Sequence, residues 1–187
     1  SPIEDKEKPY ALPDSWIWCR FKNIVYSGFT GLERSKNLQS LDFTYGYFKM
    51  NNIGDYGQCN WEKFTHVEAS DDEVEKYSLK KNDFLFNTRN SYELVGKTCI
   101  IDKDFTTPLL FNNNIFKVDF GGMIDPGFIN LMFSSPVIKK LLDEKKSATT
   151  NVAAIYQGKL MELVVVIPPL EEQKAIVEVV NQLFAEL

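Results

Sequence analysis

The sequence predicts a mixed α/β (α+β) globular domain, a twisted sheet with flanking helices, followed by the start of a long C-terminal helix. Three observations carry this. Short strand-like runs such as Phe84-Leu85-Phe86 and Thr98 to Ile101 are separated by polar, turn-rich stretches. Two later segments open as capped helices at Asp125-Pro126 and Ser135-Pro136. A strand, a Pro-Pro stop and a helix follow one another between Leu163 and Val177. With 187 residues, 44% of them hydrophobic and 14 of them Phe, the chain can bury one sizeable core and carry an appendage.

In chain order, residues 1–11 read as a flexible lead-in. Trp16 to Ile24 reads as a strand with a short turn onto Ile24-Val25. Ser27 to Ser40 is polar and glycine-containing, so it reads as a loop. Tyr45 to Ile53 has strand character, and Asn51 to Asn60 is turn-rich. Asp71 to Tyr77 reads as a short acidic helix. Phe84-Leu85-Phe86 and Thr98 to Ile101 pair as strands around a loop at Asn87 to Val95. Leu109 to Phe120 is a strand region interrupted by Asn112-Asn113-Asn114. One helix runs through Phe128, Leu131 and Met132, and a second through Ile138, Leu141 and Leu142. Leu163 to Ile167 is a continuous apolar run, the pattern of a strand buried on both faces. Pro168-Pro169 ends it, and Glu171 and Glu172 suit the positive end of the helix that follows. On that helix Ile176, Val180, Leu183 and Leu187 recur at spacings of three and four, widened by Val177 and Phe184. Such a stripe packs either on its own domain or on a partner.

Composition narrows the function classes. The three cysteines, Cys19, Cys59 and Cys99, are odd in number and scattered, which fits a reducing compartment better than a disulfide framework. The single histidine, His66, and the lack of a Cys-x-x-Cys pair speak against a metal site. No apolar run is long enough to cross a bilayer, and Ser1 to Lys8 does not resemble a signal peptide. No Asp/Asn-Pro-Pro-aromatic methyltransferase site and no phosphate-binding glycine loop occur. Asp119-Phe120-Gly121-Gly122 mimics a kinase tripeptide but reads as a turn. The net charge of -5 argues against simple nonspecific nucleic-acid binding. That charge is uneven, however. The acidic stretches 62–75 and 162–187 contrast with Arg20 to Lys36, which holds four basic residues and one acid. Pro136 to Lys159 holds five lysines and two acids. Either a basic face or ordinary solvated charge accounts for this.

Four segments together resemble the specificity subunits of type I restriction-modification systems. Ile167-Pro168-Pro169-Leu170-Glu171-Glu172-Gln173-Lys174-Ala175-Ile176-Val177 resembles their junction between recognition domain and helix. Leu12-Pro13-Asp14-Ser15-Trp16-Ile17-Trp18 resembles their opening. Leu79-Lys80-Lys81-Asn82-Asp83-Phe84-Leu85-Phe86, followed by Gly96-Lys97, resembles an internal strand motif. Ser147-Ala148-Thr149-Thr150 resembles the small-residue turn before their last strands. One departure is Asn82 where glycine is usual; Asn also tolerates a left-handed turn.

The resemblance implies a target recognition domain at 12–168 and the start of a spacer, coiled-coil helix at 169–187. It implies a noncatalytic cytoplasmic protein that reads one half of a bipartite site on double-stranded DNA. Methyltransferase subunits, a restriction subunit and a second recognition half, or a second copy joined through the C-terminal helix, would be its partners. S-adenosylmethionine, ATP and Mg2+ would belong to those partners, with no cofactor or metal in this chain. Ile176, Val177, Val180, Leu183, Phe184 and Leu187 would form the helix interface, so that deleting Leu170 to Leu187 weakens assembly without unfolding the domain.

Sequence reading needs polar side chains on loops held by a rigid scaffold; Arg and Lys suit guanine edges, Asn and Gln adenine edges. Three stretches offer that chemistry: Thr30, Arg34, Ser35 and Lys36; Asn87, Arg89, Asn90 and Tyr92; and Lys145, Lys146, Thr149 and Thr150. Each is equally readable as an ordinary polar turn. If Arg34 or Arg89 reads a base, its replacement by alanine relaxes guanine preference. A protein-interaction module without DNA contact, an enzyme with an unrecognised site, and a specificity subunit of a related type II system are the competing readings.

Overall fold

The computed structural model describes residues 2–62 and 64–186. The chain folds as a mixed α/β domain whose single expected sheet is divided into four small ones. The strands are β1 (Ile17–Arg20), β2 (Ser27–Thr30), β3 (Tyr45–Phe48), β4 (Thr65–Val67), β5 (Phe84–Asn87), β6 (Arg89–Asn90), β7 (Thr98–Ile100), β8 (Leu109–Phe111), β9 (Ile115–Asp119), β10 (Ser147–Ala148), β11 (Ala153–Ala154) and β12 (Val164–Ile167). The helices are α1 (Asp71–Tyr77), α2 (Pro126–Ser134), α3 (Pro136–Asp143), α4 (Gln157–Met161) and α5 (Leu170–Ala185). The central sheet has the order β2-β9-β5-β7. The others are β4-β3-β8, β10-β11-β6 and β1-β12. Every pairing is antiparallel except β3 with β8.

β5 explains the architecture. Its residues Phe84, Leu85, Phe86 and Asn87 are all buried. Successive side chains on a strand point to opposite faces. Phe84 and Phe86 enter the larger core beneath α2, α3 and β12, while Leu85 enters a second core shared with β8 and Phe48. An uninterrupted apolar run is what a strand covered on both faces requires. In the larger core Phe84 and Phe86 meet Phe133 edge-on, at centroid separations of 5.9 Å each.

The helix starts follow local chemistry. Asp125 accepts from the Phe128 N–H (3.0 Å) and Ser135 from the Ile138 N–H (3.3 Å). Ser70 and Glu73 cap α1 reciprocally. Asn82 is the only non-glycine residue with positive φ among the described residues, at 71°, so it adopts the left-handed turn anticipated for it.

Several expectations change. Ser27–Thr30 is not loop but an edge strand paired with β9. Gly28 permits this, because a Cβ there would lie 2.6 Å from the Phe116 ring. The lead-in is docked rather than loose. Arg20 holds Glu7 through two bonds of 2.8 and 3.0 Å and also donates to the Glu162 carbonyl. The helix expected from residue 169 begins at Leu170, with Pro169 in the N-cap position.

The C-terminal helix is divided lengthwise. Gln173, 1% exposed, donates to the Pro168 carbonyl (2.8 Å) and accepts from the Asp125 N–H (2.9 Å). Ile176 and Val177 pack against the larger core, and Val177 lies close over Gly127 of α2. Val180 is half-buried. Val179, Leu183 and Phe184 are exposed by 54, 59 and 61%. Leu187, the last residue of the sequence-predicted stripe, lies outside the described residues. Deleting everything from Leu170 onward therefore removes part of the domain's own packing, contrary to the expectation from the sequence. Among the described residues no helix is long and apolar enough to cross a membrane.

Candidate nucleic-acid interface

The three polar stretches singled out in the sequence meet at one end of the central sheet. β2 ends at Thr30, β5 ends at Asn87 and β9 begins at Ile115, with Thr30 opposite Phe116 and Asn87 opposite Ile115. The Asn112–Asn114 turn that precedes β9 joins the first two stretches. The Asn113 N–H donates to the Leu32 carbonyl (3.1 Å). The Thr88 N–H and hydroxyl both donate to the Asn114 carbonyl (2.9 Å each). The third stretch joins through the small sheet β10-β11-β6, in which β11 pairs with β6.

Buried polar bonds fix this end of the molecule. The Tyr47 hydroxyl, fully buried, donates to the Leu32 carbonyl (2.5 Å) and accepts from Asn112 Nδ2 (2.8 Å). Burial pushes the Tyr47 phenol above its ordinary pKa. Asn112 Oδ1 accepts from the Asn114 N–H (2.9 Å), which closes the turn. Gly31 runs so near this turn that a Cβ there would lie 2.1 Å from the Phe111 carbonyl oxygen.

The candidates divide into anchors and presented groups. Asn87 is fully buried; its amide donates to the Leu94 carbonyl and accepts from the Arg89 N–H (3.2 Å each), so it shapes the loop and cannot reach a base. Arg34 is consumed in the same way. Its guanidinium donates to the carbonyls of Glu33 and Glu68 and to Glu73 Oε2 (2.7 Å), stapling the first stretch to α1. That bond holds the Glu73 carboxyl below its usual pKa. Lys146 is tied to the Tyr92 carbonyl (2.6 Å) and Asp143 (2.7 Å) and lies over the Tyr92 ring. Thr149 closes a turn onto the Val152 carbonyl. Ser35 bonds Asn37. Asn90 is half-buried and accepts from the Ser91 N–H.

Thr30, Lys36, Arg89, Tyr92 and Thr150 are exposed, and Lys145 is half-exposed. Among the described residues, Lys36, Arg89 and Lys145 have no ion-pair or side-chain hydrogen-bond partner. The basic stretch Arg20 to Lys36 is thus largely neutralised in space: Glu7, Glu73 and Glu162, all remote in sequence, take up Arg20, Arg34 and Lys22. Lys159, absent from the sequence-derived candidates, donates to Ser147 Oγ (3.0 Å) and so joins the site from α4. Its twelve-residue separation from Ser147 carries no periodic signal. Exposed Glu93 also stands here, its carboxyl held below the usual range by its own backbone N–H and by Ser91.

A cleft of about 490 Å³ adjoins the second stretch, lined by Tyr56, Tyr92, Lys97, Phe133 and Lys146 among others. Lys97 is paired with Asp55 at its mouth. Among the described residues no group of three or more His, Cys, Asp or Glu side chains could hold a metal ion.

The chain is similar to known proteins along almost its whole length. It is 28% identical over 130 residues to the EcoKI specificity subunit, a type I restriction enzyme component of Escherichia coli K12, spanning 69% of this chain and 28% of that one. It is 25% identical over 185 residues to the EcoAI specificity subunit of Escherichia coli, spanning 97% of this chain and 30% of that one. The chain thus spans less than a third of either relative. Its fold matches the crystal structures of the HsdS subunit from Thermoanaerobacter tengcongensis (TM-score 0.65, 16% identity, 95% of this chain and 39% of that one) and of the type I system S subunit from M. genitalium (TM-score 0.62, 17% identity, 95% and 41%). The family signature described as type I restriction modification DNA specificity domain matches residues 27–187. The chain belongs to that family.

Proposed function

We propose that this chain reads one half of a bipartite double-stranded DNA target, as a recognition domain of a type I specificity subunit. The observation that supports this best is the convergence of three polar stretches, distant in sequence, on one rigidly anchored end of the central sheet. A loop-borne polar surface on a stiff scaffold is what base reading requires. Methyltransferase and restriction subunits supply the chemistry with their own S-adenosylmethionine, ATP and Mg2+, and no catalytic step is assigned to this chain. The exposed Val179, Leu183 and Phe184 on the outer half of α5 support a further role in joining a second recognition half or a second copy. The test is methylome sequencing of a host with and without the full-length gene. Loss of one bipartite methylated motif on deletion is the expected result. An unchanged methylome in an otherwise active system refutes the reading.

A further inference from the structure

We propose that the small sheet β6-β11-β10 is the element that faces the DNA groove, with Arg89 as its guanine reader and Lys159, seated on Ser147, as a backbone clamp. This rests on the recognition reading above and assigns its division of labour. The register places Arg89 opposite Ala154 and Ala154 opposite Ser147; the other row is Asn90, Ala153 and Ala148. Ala153 is fully buried in the larger core and Ala154 is buried too, at 8% exposure, so the Arg89 row reaches solvent at its two ends, through exposed Arg89 and half-exposed Ser147. Arg89 is exposed at one end of this row. The Lys159 ammonium is bonded to Ser147 at the other end. Only an alanine stands between them. Strands lie about 4.7–4.9 Å apart, so the row spans roughly 10 Å. The separation of the two ends is within the roughly 12 Å width of a major groove. No bulky side chain stands between the two cations, so Arg89 can meet the floor of the groove while Lys159 meets one wall.

The root of Arg89 is fixed while its guanidinium is unpaired among the described residues. Its N–H donates to Asn87 Oδ1, and the preceding Thr88 is held by Asn114 and Ile155. Arg34, the other arginine among the candidates, is fully engaged by Glu33, Glu68 and Glu73. Arg89 is therefore the group able to offer the two-pronged contact that guanine O6 and N7 accept.

The test uses the full-length subunit assembled with its methyltransferase partner, comparing wild type with Arg89→Ala, Arg89→Lys and Lys159→Ala, all checked for unchanged melting temperature. Both Arg89 variants are expected to relax one guanine position of one half-site by about 10- to 100-fold, because lysine keeps the charge but loses the fork. Lys159→Ala is expected to keep the motif and to lower the salt dependence of DNA binding by about one phosphate contact. An unchanged motif in both Arg89 variants, a uniform loss across all sequences, or a wild-type half-site without guanine overturns the assignment. A wild-type complex that methylates no motif overturns the recognition reading itself, and this assignment with it.

Discussion

Replacing Gln173 with alanine is a direct measure of how α5 is shared between the domain and its surroundings. The side chain is 1% exposed and joins the Asp125 N–H at the start of α2 to the Pro168 carbonyl at the start of α5. Alanine leaves both partners without a bond. A buried polar group stranded in this way costs about 1–3 kcal/mol. Pro168 is buried and Asp125 half-buried, so water can recover part of the second cost and the sum is about 2–4 kcal/mol. For a domain of this size each kcal/mol shifts melting by about 2–4 °C, so a drop of roughly 5–15 °C is expected. Thermal and urea denaturation of the domain measure it. Deleting 170–187 adds the loss of Ile176 and Val177 from the core, about 1 kcal/mol each for partly buried side chains, whereas deleting 181–187 removes, among the described residues, exposed ones only and leaves melting unchanged. If Gln173→Ala melts within about 1 °C of wild type, or if both deletions behave alike, α5 is not divided as described.

Two further outcomes follow from the ion pairs. Arg34→Ala lowers stability by about 1–2 kcal/mol through loss of the staple to Glu68 and Glu73 and leaves the methylated motif unchanged; altered guanine preference at unchanged stability contradicts this, and it replaces the expectation of a guanine contact by Arg34. The Glu7 carboxyl is pushed down from the ordinary 4.5 to about 2, chiefly by its hydrogen bonds from Arg20. Its folded pKa lies below the unfolded one, so its contribution is fully present above about pH 4.5 and disappears as pH falls toward 2. Glu7→Gln should therefore melt below wild type at pH 7 and converge with it near pH 2. A gap that is independent of pH excludes the pair as its source.

Much of the architecture was legible because local chemistry writes it directly. Asp125 and Ser135 before proline, the acidic run from Asp71, and the Pro-Pro pair after Leu163 to Ile167 each place an element boundary within a few residues. The apolar pattern of Phe84-Leu85-Phe86 marks a doubly covered strand. The two-residue strands β6, β10 and β11 are too short to show periodicity and exist only through their pairing. Ser27–Thr30 reads as loop for a related reason: Gly28 weakens the strand signal, yet its missing side chain is what lets Phe116 approach.

The mixed α/β class and the polar stretches suited to base edges are legible along the chain, since caps and apolar spacing act over a few residues, and the family shows in four ordered segments that resemble it. Folding selects which of those side chains remain available. Asn87, Arg34 and Lys146 look as apt as Arg89 along the chain, but the first is buried and the other two are neutralised by Glu73 and Asp143. Those outcomes depend on which groups fold to within 3 or 4 Å of one another. Arg34 and Glu73 stand thirty-nine residues apart, and nothing in the intervening residues announces their pairing.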